Sequence, residues 1–304
     1  MPAFTTAERR GYQQICGANG AIMAIACDQR GGMRELLSPD PAGRAAITDA
    51  MLGDTKSDIV SCLANHASCV LLDPVCAVPR VVDEGVLARD VALLVGLDAS
   101  GYDTGPQGQR LSRLAAGVGA RRVRELGGTG GKIMVYLRPD QPGFDDHNVD
   151  ILRRCIADFA AEDLLLVVEF LTYALPAETK EAHAAAVPAI VEAGTRLCVS
   201  LGAKVLKLPW PGSAEACARV TAAARGVPWA VLSAGVDHAT FLGQIEAAMA
   251  NGASGVIGGR ALWKDCIALD RTVQRERLSH VAVPRLREIQ AVLDRHARPA
   301  RGTA

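Results

Sequence analysis

The stretch "LLLVVEFL", residues 164–171, is an apolar run that contains one carboxylate, Glu169. Its apolar residues are continuous and do not alternate with polar ones, which is typical of a strand buried on both faces of a parallel sheet. Similar runs recur along the chain, and most are followed by a longer segment with apolar residues at helical spacing. These further runs are "AIMAIACD" (21–28), "CVLLDP" (69–74), "VALLVGLD" (91–98), "KIMVYLRPD" (132–140), "KVLKLPW" (204–210), "WAVLSAGV" (229–236) and "SGVIGGR" (254–260).

Eight strand-plus-helix units within 304 residues predict an α/β protein with a (β/α)8 TIM barrel. We expect residues 1–304 to form one domain, with residues 1–19 as an N-terminal segment and residues 296–304 as a frayed tail. The competing fold is a doubly wound open sheet. Its dinucleotide-binding form requires GxGxxG after the first strand, and "CDQRGGMREL" (27–36) does not supply this motif.

Two Pro- and Gly-rich stretches, "GYDTGPQG" (101–108) and "PDQPGFDDHN" (139–148), are expected to be loops. The run at 91–98 is also compatible with a helix, in which case the third strand would lie nearby. The chain contains no linker that would separate two domains.

Composition excludes several classes of function. The chain has 33 basic and 33 acidic residues, so its charge gives no reason to expect nucleic acid or an anionic membrane as a partner. It has neither a secretory signal pattern nor an apolar run of the roughly 18 to 20 residues that a membrane span needs. Nine scattered cysteines without a CxxC pair are expected to be buried thiols in a reducing cytoplasm. We expect a cytoplasmic protein that forms a homo-oligomer.

In a TIM barrel, functional residues collect at the carboxyl ends of the strands. Several runs of this chain carry polar or small residues at or near that end. The resulting candidates are Asp28, Gln29, Arg30, Asp73, Lys132, Glu169, Lys207, Ser233, Gly235, Gly259 and Arg260.

Lys207 is the most informative of these candidates. Lys204 and Lys207 are an odd number of positions apart, so in a strand they point to opposite faces. Lys204 is expected on the outer face, where its side chain extends past helices. A lysine amine of ordinary pKa, about 10.4, is a poor nucleophile, but burial and a neighbouring cation lower that pKa and allow attack on a carbonyl. Lys132 could be this cation or a solvated residue at a strand start, and Lys207 could instead only pair with Glu169.

Glu169 lies in a strongly apolar run, where burial favours the protonated carboxyl and suits proton transfer. The alternative is a buried ion pair. Asp28 is expected at the barrel mouth, or else as the N-cap of the helix that follows it. Tyr173, four residues after Glu169, is expected to form an aromatic wall of the substrate site.

The seventh and eighth strands end in "LSAG" (232–235) and "IGGR" (257–260). Loops after these two strands often bind phosphate in TIM barrels, and Arg260 could add a bidentate contact. Tight packing of strand against helix is the alternative reason for the small residues. The six histidines show no HxH or HxxxH spacing, so neither a catalytic metal nor another cofactor is expected.

Six stretches together resemble one enzyme family, the class I aldolases of the tagatose 1,6-bisphosphate aldolase group, and are similar to its relative sulfofructosephosphate aldolase. "DQRG" and "EFLTY" resemble the tagatose type more, whereas "WAVLSAGVD" and "GASGVIGGRALW" resemble the sulfosugar type more. The stretches are "AIACDQRGGMRELL", "CVLLDPVCAVP", "VVEFLTY", "AKVLKLPWPG", "WAVLSAGVDHATF" and "GASGVIGGRALWKD".

The resemblance implies roles for particular residues. Lys207 would form the Schiff base, Glu169 would transfer protons, and Asp28 would lie near C3 and C4 of the substrate. Lys132 would be the second lysine of the active site, and Gln29 would contact a substrate hydroxyl. The phosphate of a dihydroxyacetone phosphate moiety would be bound by Ser233, Gly235, Gly259 and Arg260.

The sequence therefore predicts a metal-independent aldolase that reversibly cleaves a ketose 1-phosphate to dihydroxyacetone phosphate and a three-carbon aldehyde. The aldehyde would be glyceraldehyde 3-phosphate or, in the sulfosugar alternative, sulfolactaldehyde. A Schiff-base lyase for another sugar or a 2-oxo acid is a second alternative. A non-catalytic barrel that binds a sugar phosphate is a third.

Overall fold

The computed structural model describes residues 4–296, which form a closed barrel of eight parallel strands surrounded by helices. The predicted (β/α)8 barrel is thereby confirmed, and each of the eight predicted runs overlaps a barrel strand. Around the barrel the strand order is β1-β10-β9-β8-β7-β6-β3-β2. The ten strands are β1 Ile22–Ala26, β2 Cys69–Leu72, β3 Ala92–Gly96, β4 Asp103–Thr104, β5 Arg110–Leu111, β6 Gly130–Tyr136, β7 Leu165–Leu171, β8 Val205–Leu208, β9 Trp229–Val231 and β10 Gly255–Gly258.

The helices cover the outside of the barrel and one of its ends. They are α1 Thr6–Ile15, α2 Gly31–Leu37, α3 Pro41–Ala46, α4 Asp49–Cys62, α5 Val78–Asp83, α6 Ala120–Glu125, α7 Asp146–Ala161, α8 Lys180–Ser200, α9 Ala214–Ala224, α10 His238–Ala250, α11 Arg260–Trp263, α12 Arg271–Arg277 and α13 Val283–His296, with a 3-10 turn at Ala64–His66 and a π-helical turn at Leu278–Ala282. The final helix ends at His296, the first residue of the predicted tail. The rest of the predicted tail, 297–304, lies outside the described residues.

Side chains alternate between the barrel interior and the surrounding helices along each strand. In β8, Val205 joins the inner apolar cluster, whereas Leu206 and Leu208 belong to the outer cluster beneath the helices. Lys207 has the parity of Val205 and therefore faces inward. In the neighbouring strand β7, Val167 likewise faces inward one step below Glu169. The interior thus has an apolar lower layer and a charged layer above it.

Helix α1 packs across the amino-terminal end of the barrel. It begins with a capping box in which Thr5 and Glu8 exchange hydrogen bonds, and its Ile15 joins the inner apolar cluster. Lys204, just before β8, places its Nζ 2.6 Å from Oε1 of Glu8. Lys204 therefore points away from Lys207 as predicted, but its ammonium binds a carboxylate of α1 and does not extend past helices into solvent.

Two details differ from the sequence predictions. The stretch 101–108, expected to be a loop, contains β4, which pairs with β5 in a two-stranded antiparallel hairpin. The stretch 139–148 is a loop only up to the start of α7 at Asp146. Strands of two residues are too short to leave a periodic pattern, which explains why the hairpin could not be predicted.

The third strand lies within the predicted run, since β3 pairs with β2 and β6, and the helical alternative is excluded. All nine cysteines are free, and all except Cys16 and Cys62 are buried, as expected for small apolar side chains. Among the helices of residues 4–296, none has the combined length and apolarity needed to cross a membrane.

Candidate active site

Lys207 and Glu169 form an ion pair inside the carboxyl-terminal end of the barrel. They are register partners on β8 and β7, and Nζ of Lys207 lies 2.9 Å from Oε2 of Glu169. Each residue is only 5% exposed. The predicted pairing of these two residues therefore exists. Pairing and catalysis do not exclude each other, because the same carboxylate can accept a proton from the amine.

A second lysine joins this pair from the neighbouring strand. Lys132, the third residue of β6, is 2% exposed, so the alternative of a solvated lysine at a strand start is wrong. Its Nζ lies 2.8 Å from Asp28 Oδ2, 2.6 Å from Asp98 Oδ1 and 3.3 Å from Glu169 Oε2. Glu169 therefore bridges both lysines through one oxygen, which makes the five residues a single charged cluster.

Burial and neighbouring charges shift the pKa values of three members of this cluster. Burial opposes ionisation of Asp28, but the ammonium groups of Lys132 and Lys207 outweigh it and hold the pKa of Asp28 below its usual value. For Asp98, burial dominates and raises the pKa despite Lys132. Burial alone would lower the pKa of Lys132, yet Asp28, Asp98 and Glu169 together raise it well above the ordinary value. Lys132 is therefore a permanent cation beside Lys207.

Asp28 and Gln29 follow β1 and reach into the same space. Helix α2 has Arg30 as its N-cap and no side-chain capping bond, so the alternative role of Asp28 as a helix cap is wrong. Gln29 donates from Nε2 to Asp28 Oδ1 over 3.0 Å, while its Oε1 is buried without a partner among the described residues. An unpaired buried acceptor is costly in the free protein and is available to a substrate hydroxyl.

The cluster opens into two adjoining cavities of about 220 and 330 Å³. Both are lined by Gln29, Glu169, Lys207 and Arg260. The smaller cavity also contains Arg30, together with Asp28, Asp98 and Lys132, and Arg30 donates hydrogen bonds to the Asp98 carbonyl and to Ser100. The larger cavity extends towards the ends of β9 and β10.

At the end of β9 the backbone takes an unusual path. Ser233 is buried, and the next two residues, Ala234 and Gly235, have φ values of +47° and +82°. A left-handed conformation at alanine is strained and is typical of functional loops. The guanidinium of Arg260 packs directly on Gly235, where an added Cβ would lie 3.4 Å from its Cζ. Ser233 and Arg260 thus line one end of the larger cavity.

Gly259 has a packing reason to be glycine. A Cβ at this position would lie 2.0 Å from the carbonyl oxygen of Ala26 on the neighbouring strand. Gly259 is therefore needed for close approach to the neighbouring strand β1, which differs from the predicted alternative of strand packing against helix. The residue also lines the larger cavity.

Three predicted site residues do not line either cavity. One is Gly235, whose carbonyl accepts a hydrogen bond from Lys264. Asp73 is buried outside both cavities, where its carboxylate pairs with Lys56 of α4 and accepts hydrogen bonds from the backbone N–H groups of Val75 and Cys76. Tyr173 also does not line the cavities. Its ring stands edge-on to Tyr136, so it supports the wall of the site and does not form its surface.

The sequence predictions missed two residues. Asp98 closes the third predicted run, in the same strand-end position that singled out Asp28, so a signal was present. Arg110 lines the larger cavity from β5, and its position depends on the hairpin that the sequence did not reveal. Among the described residues, no group of three or more His, Cys, Asp or Glu is arranged to hold a metal ion.

Comparison with known proteins agrees with this geometry. Residues 22–265 match the model of the DeoC/LacD family aldolases. The chain belongs to the DeoC/LacD aldolase family. As a family member it is a carbon–carbon lyase of the aldehyde-lyase type. The match extends from the first barrel strand to just past the last and so includes every residue of the charged cluster.

Similar members of the DeoC/LacD family include two bacterial enzymes. The chain is 29% identical to a tagatose 1,6-diphosphate aldolase of Listeria monocytogenes, over 88% of this chain and 84% of that protein. It is 27% identical to tagatose 1,6-diphosphate aldolase 2 of Streptococcus agalactiae, over 97% of each chain. An archaeal fructose 1,6-bisphosphate aldolase shares the fold with a TM-score of 0.64 at 20% identity, covering 94% of this chain and 98% of that one.

Proposed function

We propose that this DeoC/LacD aldolase is a class I enzyme that forms an imine between Lys207 and the C2 carbonyl of a ketose 1-phosphate. The observation that carries the proposal is the position of Lys207. Its amine is buried inside the barrel, 2.9 Å from a carboxylate oxygen, and it opens onto the cavities at the barrel mouth. The names of the tagatose 1,6-diphosphate aldolase relatives support a bisphosphorylated ketose as substrate.

Imine formation requires a neutral amine and an acceptor for its proton. Oε2 of Glu169 can take the proton from Lys207 directly. The Lys132 ammonium also contacts this oxygen, at a distance of 3.3 Å. The amine adds to C2 to give a carbinolamine, which loses water with a proton returned by Glu169, and the product is an iminium ion.

Cleavage then uses the iminium as an electron sink. A base removes the proton of the C4 hydroxyl, the C3–C4 bond breaks, and its electron pair moves to the iminium to form an enamine. Glu169, or a water bound to the ionised Asp28, is the candidate base. The aldehyde leaves, C3 of the enamine is protonated, and water hydrolyses the imine to release dihydroxyacetone phosphate and free Lys207.

The phosphate on C1 is assigned to Ser233, Gly235, Gly259 and Arg260, at the ends of β9 and β10. Arg260 has no ion-pair partner among residues 4–296, so its charge is available to an anion. The departing aldehyde would be glyceraldehyde 3-phosphate, or sulfolactaldehyde if the substrate is the sulfosugar. A cytoplasmic location and a homo-oligomeric state remain predictions.

Reductive trapping tests the proposal. The protein is incubated with dihydroxyacetone phosphate and borohydride, which reduces an imine to a stable secondary amine. Intact mass and peptide mapping should locate one reduced adduct on Lys207. The variant Lys207→Met should give no adduct and no turnover, while its circular dichroism spectrum remains that of a folded barrel.

Lys204→Met is the matched control, because this lysine lies three positions away on the opposite face and pairs with Glu8. It should be trapped on Lys207 like the wild type. If dihydroxyacetone phosphate binds but leaves no adduct on wild-type protein, the imine mechanism is wrong. A sugar-phosphate-binding barrel without this chemistry would then be the better description.

A further inference from the structure

The β4–β5 hairpin places an arginine against three aromatic rings at the barrel mouth. The Arg110 guanidinium carbon lies 4.4 Å from the ring centroid of Tyr102 and 5.0 Å from those of Tyr136 and Tyr173. A cation within about 6 Å of an aromatic face is attracted by the ring quadrupole. The three rings therefore hold the guanidinium in place without neutralising its charge.

The backbone of Arg110 is fixed from both sides. Its N–H donates to Tyr173 Oη over 3.1 Å, and its carbonyl accepts from Asn148 Nδ2 over 2.7 Å. Asn148 is fully buried and also donates to the carbonyl of Tyr136 over 2.7 Å. One amide thus ties the hairpin to β6. Such preorganisation reduces the entropy lost when a ligand binds.

The charge of Arg110 is not satisfied within the described part of the chain. Over residues 4–296, no carboxylate lies within ion-pair distance of its guanidinium, whereas the nearby Arg138 pairs with both Asp140 and Glu178. Arg110 lines the larger cavity together with Lys207. In the same cavity, Oγ1 of Thr172 is buried and has no partner among the described residues. An unpaired cation and an unpaired hydroxyl in one cavity can both donate hydrogen bonds to the oxygens of an anion.

Strand order places Arg110 opposite the candidate C1 phosphate site. Tyr136 ends β6, whereas Arg260 follows β10, and these strands are four positions apart in the ring of eight. They therefore face each other across the mouth. Lys207, on β8, lies halfway between them. An open-chain ketose whose C2 is bound at Lys207 and whose C1 phosphate contacts Arg260 would point its far end towards Arg110.

We propose that Arg110, assisted by Thr172, binds an anionic group at the far end of the substrate and selects for a ketose that is charged at both ends. The inference rests on the proposed class I mechanism and extends it to the aldehyde half of the substrate. Phosphate and sulfonate present the same tetrahedral arrangement of acceptor oxygens to a guanidinium. The recognised chemistry is thus an anionic three-carbon aldehyde, and the test distinguishes the two anions.

The test measures condensation of dihydroxyacetone phosphate with different aldehydes. Wild-type protein should prefer glyceraldehyde 3-phosphate or sulfolactaldehyde over uncharged glyceraldehyde in kcat/KM, and the better of the two identifies the anion. Arg110→Gln should reduce this preference by about tenfold to a hundredfold, mainly through KM of the charged aldehyde, the range expected for one charge-assisted contact. Arg110→Lys, which keeps the charge but loses the planar fork, should fall between the two.

Arg113→Gln is the matched control, because Arg113 follows the same hairpin but pairs with Asp103 at the surface. It should keep the wild-type preference. An unchanged preference in Arg110→Gln, or an equal loss with charged and uncharged aldehydes, would overturn the assignment and leave Arg110 as a support for the hairpin.

If Arg110→Gln does not fold, the wild-type protein alone still tests the proposal. Absence of any preference for an anionic aldehyde in the wild type would refute it. Borohydride trapping on Lys207 separates this outcome from failure of the mechanism. Trapping involves only the dihydroxyacetone phosphate half and should persist in Arg110→Gln. If the adduct forms on Lys207 but the wild type shows no preference for an anionic aldehyde, only the role of Arg110 is refuted. If no adduct forms in the wild type, the class I mechanism itself is refuted.

Discussion

Nζ of Lys207 lies 2.9 Å from Oε2 of Glu169, and the same oxygen lies 3.3 Å from Nζ of Lys132. One carboxylate thus contacts both a candidate nucleophile and a permanent cation. Lys132 has Asp28 and Asp98 as further partners, whereas Lys207 has only Glu169 within ion-pair distance among the described residues. Glu169 is therefore free to exchange a proton with Lys207 without leaving Lys132 unpaired.

Glu169→Gln should separate imine formation from turnover. Glutamine keeps the shape of the side chain but cannot accept the proton, so kcat should fall by about two to four orders of magnitude, the usual range for loss of a general acid–base group. Single-turnover kinetics would measure the loss. The borohydride adduct on Lys207 should still form, although more slowly. Turnover near the wild-type level would show that another group transfers the proton.

Lys204→Met should affect stability and not chemistry. It removes the partner of Glu8, a residue that is 3% exposed and caps α1. The free energy of unfolding should fall by about 1–2 kcal/mol, which is between the values for exposed and fully buried pairs. Urea denaturation measures this change. Glu181→Gln, at the exposed start of α8, is the control and should change stability little. Loss of activity in folded Lys204→Met would contradict the structural role.

The sequence was sufficient to predict the barrel because its strands are continuous apolar runs, a local property of each segment. Strand parity likewise predicted that Lys204 and Lys207 point apart. Asp73 shows the limit of the strand-end rule. It stands at a strand end like Asp28, but it pairs with Lys56 of the outer helix α4. Only tertiary packing decides which strand-end carboxylate has such a partner outside the site. Arg110 could not be predicted for a related reason, since the short β4–β5 hairpin reaches the site only through tertiary contacts such as those of Asn148.

Asp98→Asn should weaken catalysis through Lys132. Asp98 makes the 2.6 Å contact to the Lys132 ammonium, and burial raises the pKa of this carboxyl. On acidification, Asp98 therefore becomes protonated at a higher pH than an ordinary aspartate does. The acid limb of the pH–kcat profile should become less steep in the variant, and kcat above that limb should fall by about tenfold. Asp103→Asn, on the exposed hairpin, is the control. An unchanged pH profile would mean that Asp98 does not act through Lys132.

Asp145→Asn should change how stability depends on pH. Burial raises the pKa of Asp145 to about 6, although its Oδ1 accepts the N–H of Arg138. The native state therefore holds a proton more tightly than the unfolded state, in which the pKa is about 3.9. Stability contributed by this group is present at low pH and is lost as the pH rises from about 4 to 6.

The loss should amount to about 1–2 kcal/mol, after allowance for partial exposure of the site. Asp145→Asn should remove this component of the slope. Urea denaturation across that pH range would measure it, with the exposed Asp150→Asn as control. Equal slopes in wild type and Asp145→Asn would show that the carboxyl titrates normally.

Arg260→Gln should weaken binding of the dihydroxyacetone phosphate half. Arg260 is held against Gly235 at the end of β9 and lines both cavities with Lys207. Loss of one charge-assisted contact to phosphate should raise the concentration for half-maximal adduct formation by about tenfold to a hundredfold, while the adduct at saturation remains complete. Trapping at varied dihydroxyacetone phosphate concentration measures both quantities. Arg277→Gln, on the exposed face of α12, should match the wild type. The imine itself involves only Lys207, so an unchanged half-saturating concentration in Arg260→Gln would mean that the C1 phosphate binds elsewhere. The positions of Arg260 and Arg110 on opposite sides of the mouth would then say nothing about how the substrate is oriented.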